Sequence, residues 1–161
     1  MVIIVMGVTG SGKSTIAKLV SKETEIPYYD ADDFHSTENI KKMSNGVPLT
    51  DEDRRQWLIL LSEQIPKWQE KSGAVLACSA LKEKYRETLQ SHLEEGIKWV
   101  YLDVPREVIK NRVISRKGHF MPEKLVASQF EALEPPTYGI CVNGTLTPEE
   151  ITSIVLHKLD D

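Results

Sequence analysis

Near the amino terminus, Gly7-Val8-Thr9-Gly10-Ser11-Gly12-Lys13-Ser14 fills the pattern G-x-x-x-x-G-K-[ST]. Each residue type has a use at its position. The glycines let the backbone curl until consecutive N–H groups converge on phosphate oxygens, at the positive end of the helix that follows. Lys13 would reach the β- and γ-phosphates of a nucleoside triphosphate, and the Ser14 hydroxyl would ligate Mg²⁺. The competing reading is a glycine-rich turn that binds nothing, which leaves a lysine held in such a loop without a reason. The octapeptide alone establishes no more than a nucleoside triphosphate site.

A second group, Asp30-Ala31-Asp32-Asp33-Phe34-His35, places the Asp30 and Asp32 carboxylates either side of one small residue. Phosphoryl transfer is mainly positioning and charge stabilisation, with a carboxylate accepting the proton of the attacked hydroxyl. Asp30 and Asp32 have the chemistry to polarise that hydroxyl and steady a metal. An Asp-rich segment also caps helices and makes turns, so both readings stand at this point.

The elements that must hold these groups can be read from apolar spacing. Residues 2–5 are apolar without alternation, as in a strand buried on both faces of a parallel sheet. Ile16, Leu19 and Val20 then follow the glycine-rich loop at helical spacing. Further strands are expected at 28–30, 74–78, 99–102 and 139–142, and helices at 39–44, 82–92, 106–116 and 123–133. Thr50 caps another helix with an acidic first turn and the stripe Trp57, Leu61, Ile65, Trp68; Pro66 should kink or end it. Thr147-Pro148-Glu149-Glu150 supplies a cap, a proline at the first helical position and a glutamate at the third.

Alternating strands and helices imply an α/β fold, a parallel sheet covered on both faces. Ligands of such sheets bind at the carboxyl ends of the strands. Lys13, Asp30, Asp32, Ser79, Lys82 and Asp103 all follow strands in this way. Residues 99–103 resemble a Walker B strand, but Asp103 reads better as a cap for the helix beginning near Pro105.

Composition narrows the class. The 161 residues make one domain, 40% hydrophobic and 27% charged, with a net charge of −4 that disfavours a general nucleic-acid or acidic-membrane binder. No apolar run approaches the roughly 20 residues that span a bilayer, and residues 1–6 lack a signal peptide's basic start and cleavage site. Cys78 and Cys141 form neither a CxxC nor a metal-ligand spacing, so a reduced, cytoplasmic setting is expected. The guanine-reading Asn-Lys-x-Asp of switch GTPases is absent, as is the Leu-Ser-Gly-Gly-Gln of transport ATPases. Small-molecule kinases remain the best-fitting class.

The pattern then resembles one kinase family. Residues 6–15 look like the phosphate loop of gluconate kinases. So do Asp30–His35 as a block, Asn39-Ile40-Lys41-Lys42-Met43, Gly46-Val47-Pro48-Leu49-Thr50-Asp51-Glu52-Asp53-Arg54 and Ala77-Cys78-Ser79-Ala80-Leu81-Lys82. Tyr85-Arg86, Arg116-Lys117-Gly118-His119-Phe120-Met121-Pro122, Ser128-Gln129 and Leu133-Glu134-Pro135-Pro136 continue the match through residue 136. The family resembles shikimate and nucleoside monophosphate kinases in fold. The resemblance implies a three-layer P-loop NTPase fold over 1–161, a five-stranded parallel sheet in the order 2-3-1-4-5, and a mobile lid at about 116–123. It also implies ATP and Mg²⁺, transfer to the 6-hydroxyl of D-gluconate, and a homodimer as the common assembly. The alternatives are a kinase of shikimate or another small hydroxy acid, and a nucleotide-binding module without catalysis.

Roles follow from the resemblance position by position. Thr15 joins residues 7–14 in binding nucleotide. Asp32 faces the acceptor hydroxyl, Asp30 lies nearer the metal with Ser14, and His35 lines the sugar-acid pocket. Arg54 holds the substrate carboxylate, a planar anion that a guanidinium can grip with two bonds; pairing with Asp51 or Glu52 is the alternative. Lys82 and Arg86 contact substrate, or are solvated charges on one helix face. Arg112 stacks on or flanks the adenine, while Arg116 reaches the transferring phosphoryl group; a basic helix end is the bland reading of this pair. His119, in the lid, and Gln129 contact the sugar acid, or Gln129 faces solvent. Asn143-Gly144 could meet the adenine only through backbone groups.

Overall fold

The computed structural model describes residues 1–115 and 123–161. Five strands, β1 (Val2–Met6), β2 (Tyr28–Asp30), β3 (Ala74–Ala77), β4 (Lys98–Asp103) and β5 (Ile140–Asn143), pair in parallel in the order β2-β3-β1-β4-β5. This is the expected order. Val5 lies level with Ala77 on one side and Val100 on the other. Three strand ends, at Met6, Asp30 and Ala77, therefore open on the same edge of the sheet.

The apolar run of β1 explains its place at the centre. Val2, Ile4 and Met6 point to one face and pack with Trp57, Leu61, Ile65 and Trp68 of α3 (Asp51–Glu70) and with Tyr85 and Leu89 of α4 (Glu83–Gln90). Ile3 and Val5 point to the other, against Ile16 and Val20 of α1 (Lys13–Thr24) and Ile151 and Val155 of α7 (Pro148–Asp160). Each fully buried Ile or Leu contributes about 1.5–3 kcal/mol. A third cluster, with Val8, Leu81, Ile109, Val113 and Val126, joins the phosphate loop to α5 (Arg106–Ser115) and α6 (Glu123–Ala132).

The caps are those the sequence leads one to expect. Thr50 and Asp53 form a reciprocal capping box on α3, Thr50 Oγ1 accepting from the Asp53 amide at 3.1 Å and Asp53 Oδ2 from the Thr50 amide at 2.9 Å. Thr147 caps α7 ahead of Pro148. Between β2 and α3 lie a 3-10 helix (Ala31–Phe34) and α2 (Thr37–Ser44), which Ser36 caps. Helix α3 runs on past Pro66 to Glu70, so the proline falls near its last turn. One local expectation needs correction. Asp103 is the last residue of β4, and it is the Pro105 carbonyl that accepts from the Val108 and Ile109 amides at the start of α5.

Candidate active site

The phosphate loop closes on itself before α1 begins. The Ser11 amide donates to the Val8 carbonyl at 3.2 Å, and the Ile16 amide to Gly12 at 2.9 Å. Gly12, at φ +96°, turns the chain into the helix in a left-handed backbone conformation that residues with a Cβ rarely adopt. Gly7, at φ +154°, is required for a second reason: a Cβ there would stand 2.7 Å from Ser11 Oγ. Lys13 Nζ donates to the Val8 carbonyl at 3.1 Å, bending its ammonium back over the loop that would hold the phosphates.

That loop forms one wall of a cavity of about 640 Å³. Thr9, Gly10, Lys13, Ser14 and Thr15 line it, and so do Asp30, Asp32, His35, Arg54, Ser79 and Gln129. Gly7, Val8 and Ser11 shape the loop from behind. Asp32 opens onto the cavity with protein around it, so desolvation, reinforced by Asp30, pushes its carboxyl pKa up; Lys13 opposes the shift. A carboxylate above its ordinary range beside a phosphate site is suited to accept a proton.

Asp30 does two things at once. Its Oδ1 accepts from the Asp32 amide at 2.9 Å, capping the 3-10 helix, and its Oδ2 lies 3.4 Å from the Tyr28 hydroxyl. Burial raises the Tyr28 pKa, and the neighbouring Asp30 charge adds to the rise while Ser14 opposes it. A hydroxyl and a carboxylate at the mouth of a phosphate loop are hard oxygen donors of the kind Mg²⁺ takes alongside water and phosphate. Among the described residues no three His, Cys, Asp or Glu side chains gather as a metal cage.

The acceptor side is built on aromatic rings. The His35 imidazole stacks on Trp57, with ring centroids 4.2 Å apart and planes 12° apart, and Trp57 Nε1 donates to the Ala31 carbonyl at 2.7 Å. Burial, then the Arg54 charge, lowers the His35 pKa to about 4, so the ring is neutral near pH 7. Arg54 donates to the Leu49 carbonyl at 2.7 Å and to the Tyr85 hydroxyl at 3.4 Å, over the Tyr85 ring. Among the described residues no carboxylate lies within ion-pair distance of it; the pairing expected as its alternative falls instead to Arg55 and Glu52. Arg54 therefore brings an uncompensated cation to the cavity wall.

Four expected positions differ in what they do. Lys82 is not a wall of the cavity: its Nζ pairs with Asp51 at 3.1 Å, where Lys84 and Tyr85 also donate and hold that carboxyl far below its usual range. Arg86 is neither a substrate contact nor a solvated charge. It is 2% exposed and donates to the carbonyls of Ala80 (2.6 Å) and Glu134 (2.8 Å), to Glu83 and to the Tyr138 hydroxyl. It borders a separate cleft of about 540 Å³ at the starts of β4 and β5, remote from the strand ends that carry the other site residues. Gln129 does face the cavity, and its Oε1 accepts from the Thr9 amide at 2.6 Å. Arg112 bridges the carbonyls of Gly10 (3.0 Å) and Gly144 (2.7 Å), tying the phosphate loop to the turn after β5. Arg116 and His119 lie outside the described residues.

Sequence reasoning missed Tyr28, Asn39, Trp57 and Tyr85 as parts of the site. Asn39 was findable, since it stands four residues after His35 at the head of a short helix. Trp57 counted only as core, which it also is.

The chain is similar to known proteins over most of its length. The shikimate kinase family model matches residues 9–134. A probable gluconokinase of Mus musculus is 41% identical, over 98% of this chain and 97% of its own. The thermosensitive gluconokinase of Escherichia coli K12 is 42% identical, over 83% of this chain and 71% of its own. The solved structure of a gluconokinase from Sinorhizobium meliloti 1021 superposes with a TM-score of 0.89 at 37% identity, covering 99% of this chain and 91% of that one.

Proposed function

This chain belongs to the gluconokinase family, within the shikimate-kinase type of P-loop kinase, and we infer that it phosphorylates gluconate with ATP by the following use of its cavity. The observation that carries the reading is the convergence of Lys13, Asp32 and Arg54 on one cavity, a phosphate cation, a carboxylate and an anion-binding guanidinium. Gluconate enters with its carboxylate on Arg54 and its chain of hydroxyls along His35 and Gln129. Its far hydroxyl, the 6-hydroxyl, then lies toward Asp32 and the γ-phosphate.

Asp32 takes the hydroxyl proton as the oxygen attacks the γ-phosphorus and the bond to the β–γ bridging oxygen breaks, releasing ADP, while Lys13 with the loop amides stabilises charge on the phosphoryl oxygens. Ser14 and Asp30 would hold Mg²⁺, which would neutralise phosphate charge when bound. Arg112 serves the nucleotide through the loop it braces. The family resemblance gives Arg116 and His119 roles at the phosphoryl group and the sugar acid; both, with most of the expected 116–123 segment, lie outside the described residues. By the family resemblance the chain works as one domain over 1–161, in the cytoplasm and with a homodimer as the common assembly. No described helix is long and apolar enough to cross a membrane.

A coupled assay of ADP release over a panel of acceptors tests the reading. Turnover should require gluconate, and NMR of the product should place phosphate on its terminal carbon. Preferential turnover of shikimate or another hydroxy acid would replace the acceptor, while nucleotide binding without turnover on any acceptor would remove the catalytic reading.

A further inference from the structure

We propose that Asn39 is a positioning residue: it fixes His35 in the tautomer that carries its proton on Nε2, so that the cavity meets the sugar acid with a hydrogen-bond donor at that point. Asn39 is the buried residue of α2, 6% exposed on a helix that otherwise meets solvent. A carboxamide in that position needs partners. Its Nδ2 lies 2.7 Å from the Asp53 carbonyl. A backbone carbonyl only accepts, so this contact settles which end of the amide faces Asp53. The same Nδ2 lies 3.3 Å from His35 Nδ1. The amide carries two hydrogens, and the second is directed to the ring. A ring nitrogen that accepts has no proton of its own, so the neutral imidazole must bear it on Nε2.

Turning the ring over would keep its stack on Trp57, which is pinned through Nε1 to Ala31, but would give up the bond from Asn39. The Asn39 backbone is held in turn, its N–H donating to Ser36 Oγ at 3.1 Å. Nε2 finds no partner among the described residues, and His35 lines the same cavity as Asp32 and Arg54. The acceptor side then presents donors, an imidazole N–H and a guanidinium, to a molecule rich in hydroxyl and carboxylate oxygens. A site arranged to bond one hydroxyl oxygen penalises the analogue that lacks it much more than a change of apolar bulk would.

The inference rests on the sugar acid occupying this cavity, but its first test does not. In ligand-free protein with ¹⁵N-labelled histidines, long-range ¹H–¹⁵N spectra near neutral pH should show His35 protonated on Nε2, the signal being identified by its loss in His35→Phe. Protonation on Nδ1, or on both nitrogens, overturns the proposal whatever the acceptor is. Asn39→Asp, which replaces the amide donor by an acceptor, should move the proton to Nδ1 or add one. Kinetics then ask whether the donor matters. His35→Phe keeps the stack on Trp57 without a donor and should raise KM for gluconate about tenfold or more, leaving KM for ATP unchanged. His35→Gln, whose amide reaches the place of Nε2, should recover most of that loss. Equal KM values for the Phe and Gln variants would refute the donor role even if the tautomer is as stated.

Discussion

Asp32 sits between opposing influences. Desolvation and Asp30 disfavour its charge, while Lys13 favours it, and the acceptor hydroxyl must arrive where these balance. Asp32→Asn keeps the shape and removes the base, so kcat should fall about 10²–10⁴-fold with little change in KM for ATP. Steady-state kinetics check this, and an unchanged kcat would hand the proton to water. Lys13→Ala should cost about 10²–10³ in kcat, because its charge is directed to where negative charge develops on the phosphoryl oxygens. Arg54 is tested by a pair of variants. Arg54→Lys retains the charge but loses the planar two-bond grip, so KM for gluconate should rise while kcat stays near that of the parent; Arg54→Ala should raise it further. A parallel rise in KM for ATP would place Arg54 at the nucleotide instead.

Between β3 and α4 the chain makes a turn that no cap or glycine explains. Ala80 adopts φ +43°, uncommon for a residue with a Cβ, immediately after the cavity residue Ser79. Arg86 supplies the reason: from inside α4 it grips the Ala80 carbonyl, and it holds Glu134 where α6 has ended. Arg86→Met fills the space without donors and strands the buried Ala80 carbonyl, at about 1–3 kcal/mol. Differential scanning calorimetry should show a Tm several degrees lower, whereas Glu83→Gln, altering a half-exposed partner, should shift it little. A Met variant as stable as the parent would refute the clamp. Arg86 also shows where sequence reading stops. The phosphate loop and the sheet order were legible because one is a contiguous pattern and the other follows from apolar runs and a family resemblance. Lys82 and Arg86, at i and i+4, share a helix face in any helix, but only tertiary packing decides that one is buried at Ala80 and the other drawn to Asp51. His35, Asn39, Trp57 and Asp53 converge from three elements, and no spacing rule joins residues across such a gap.

At the scale of the whole molecule, the site is held against stability, and pH exposes the conflict. Asp32 has a raised pKa, so its favourable contribution is present below the unfolded value of 3.8 and is lost as pH rises through the folded value. Near pH 7 the ionised side chain is a burden that an uncharged amide of the same shape would not impose. Asp32 is exposed at the cavity mouth, where solvent screens most of that cost, so Asp32→Asn should unfold only slightly above the parent there, the gain vanishing toward pH 3. The same substitution that removes activity should thus stabilise the fold. His35 works in the opposite direction. Its folded pKa is about 4 against 6.5 unfolded, so the unfolded chain binds the extra proton first. The stability it lends is complete above pH 6.5 and disappears as pH falls toward 4. Asp53, lowered to about 2 through Lys42 and Thr50, loses its contribution only below 3.8, and Asp51 lower still, so their effects fall in a separate window. Urea unfolding at steps from pH 7 to 4 should show the parent losing stability relative to His35→Phe, because Asp32 acts alike in both and a phenyl ring on Trp57 has no proton to gain. Parallel curves for the two proteins would mean that the imidazole is already charged, or already solvated, in the folded state.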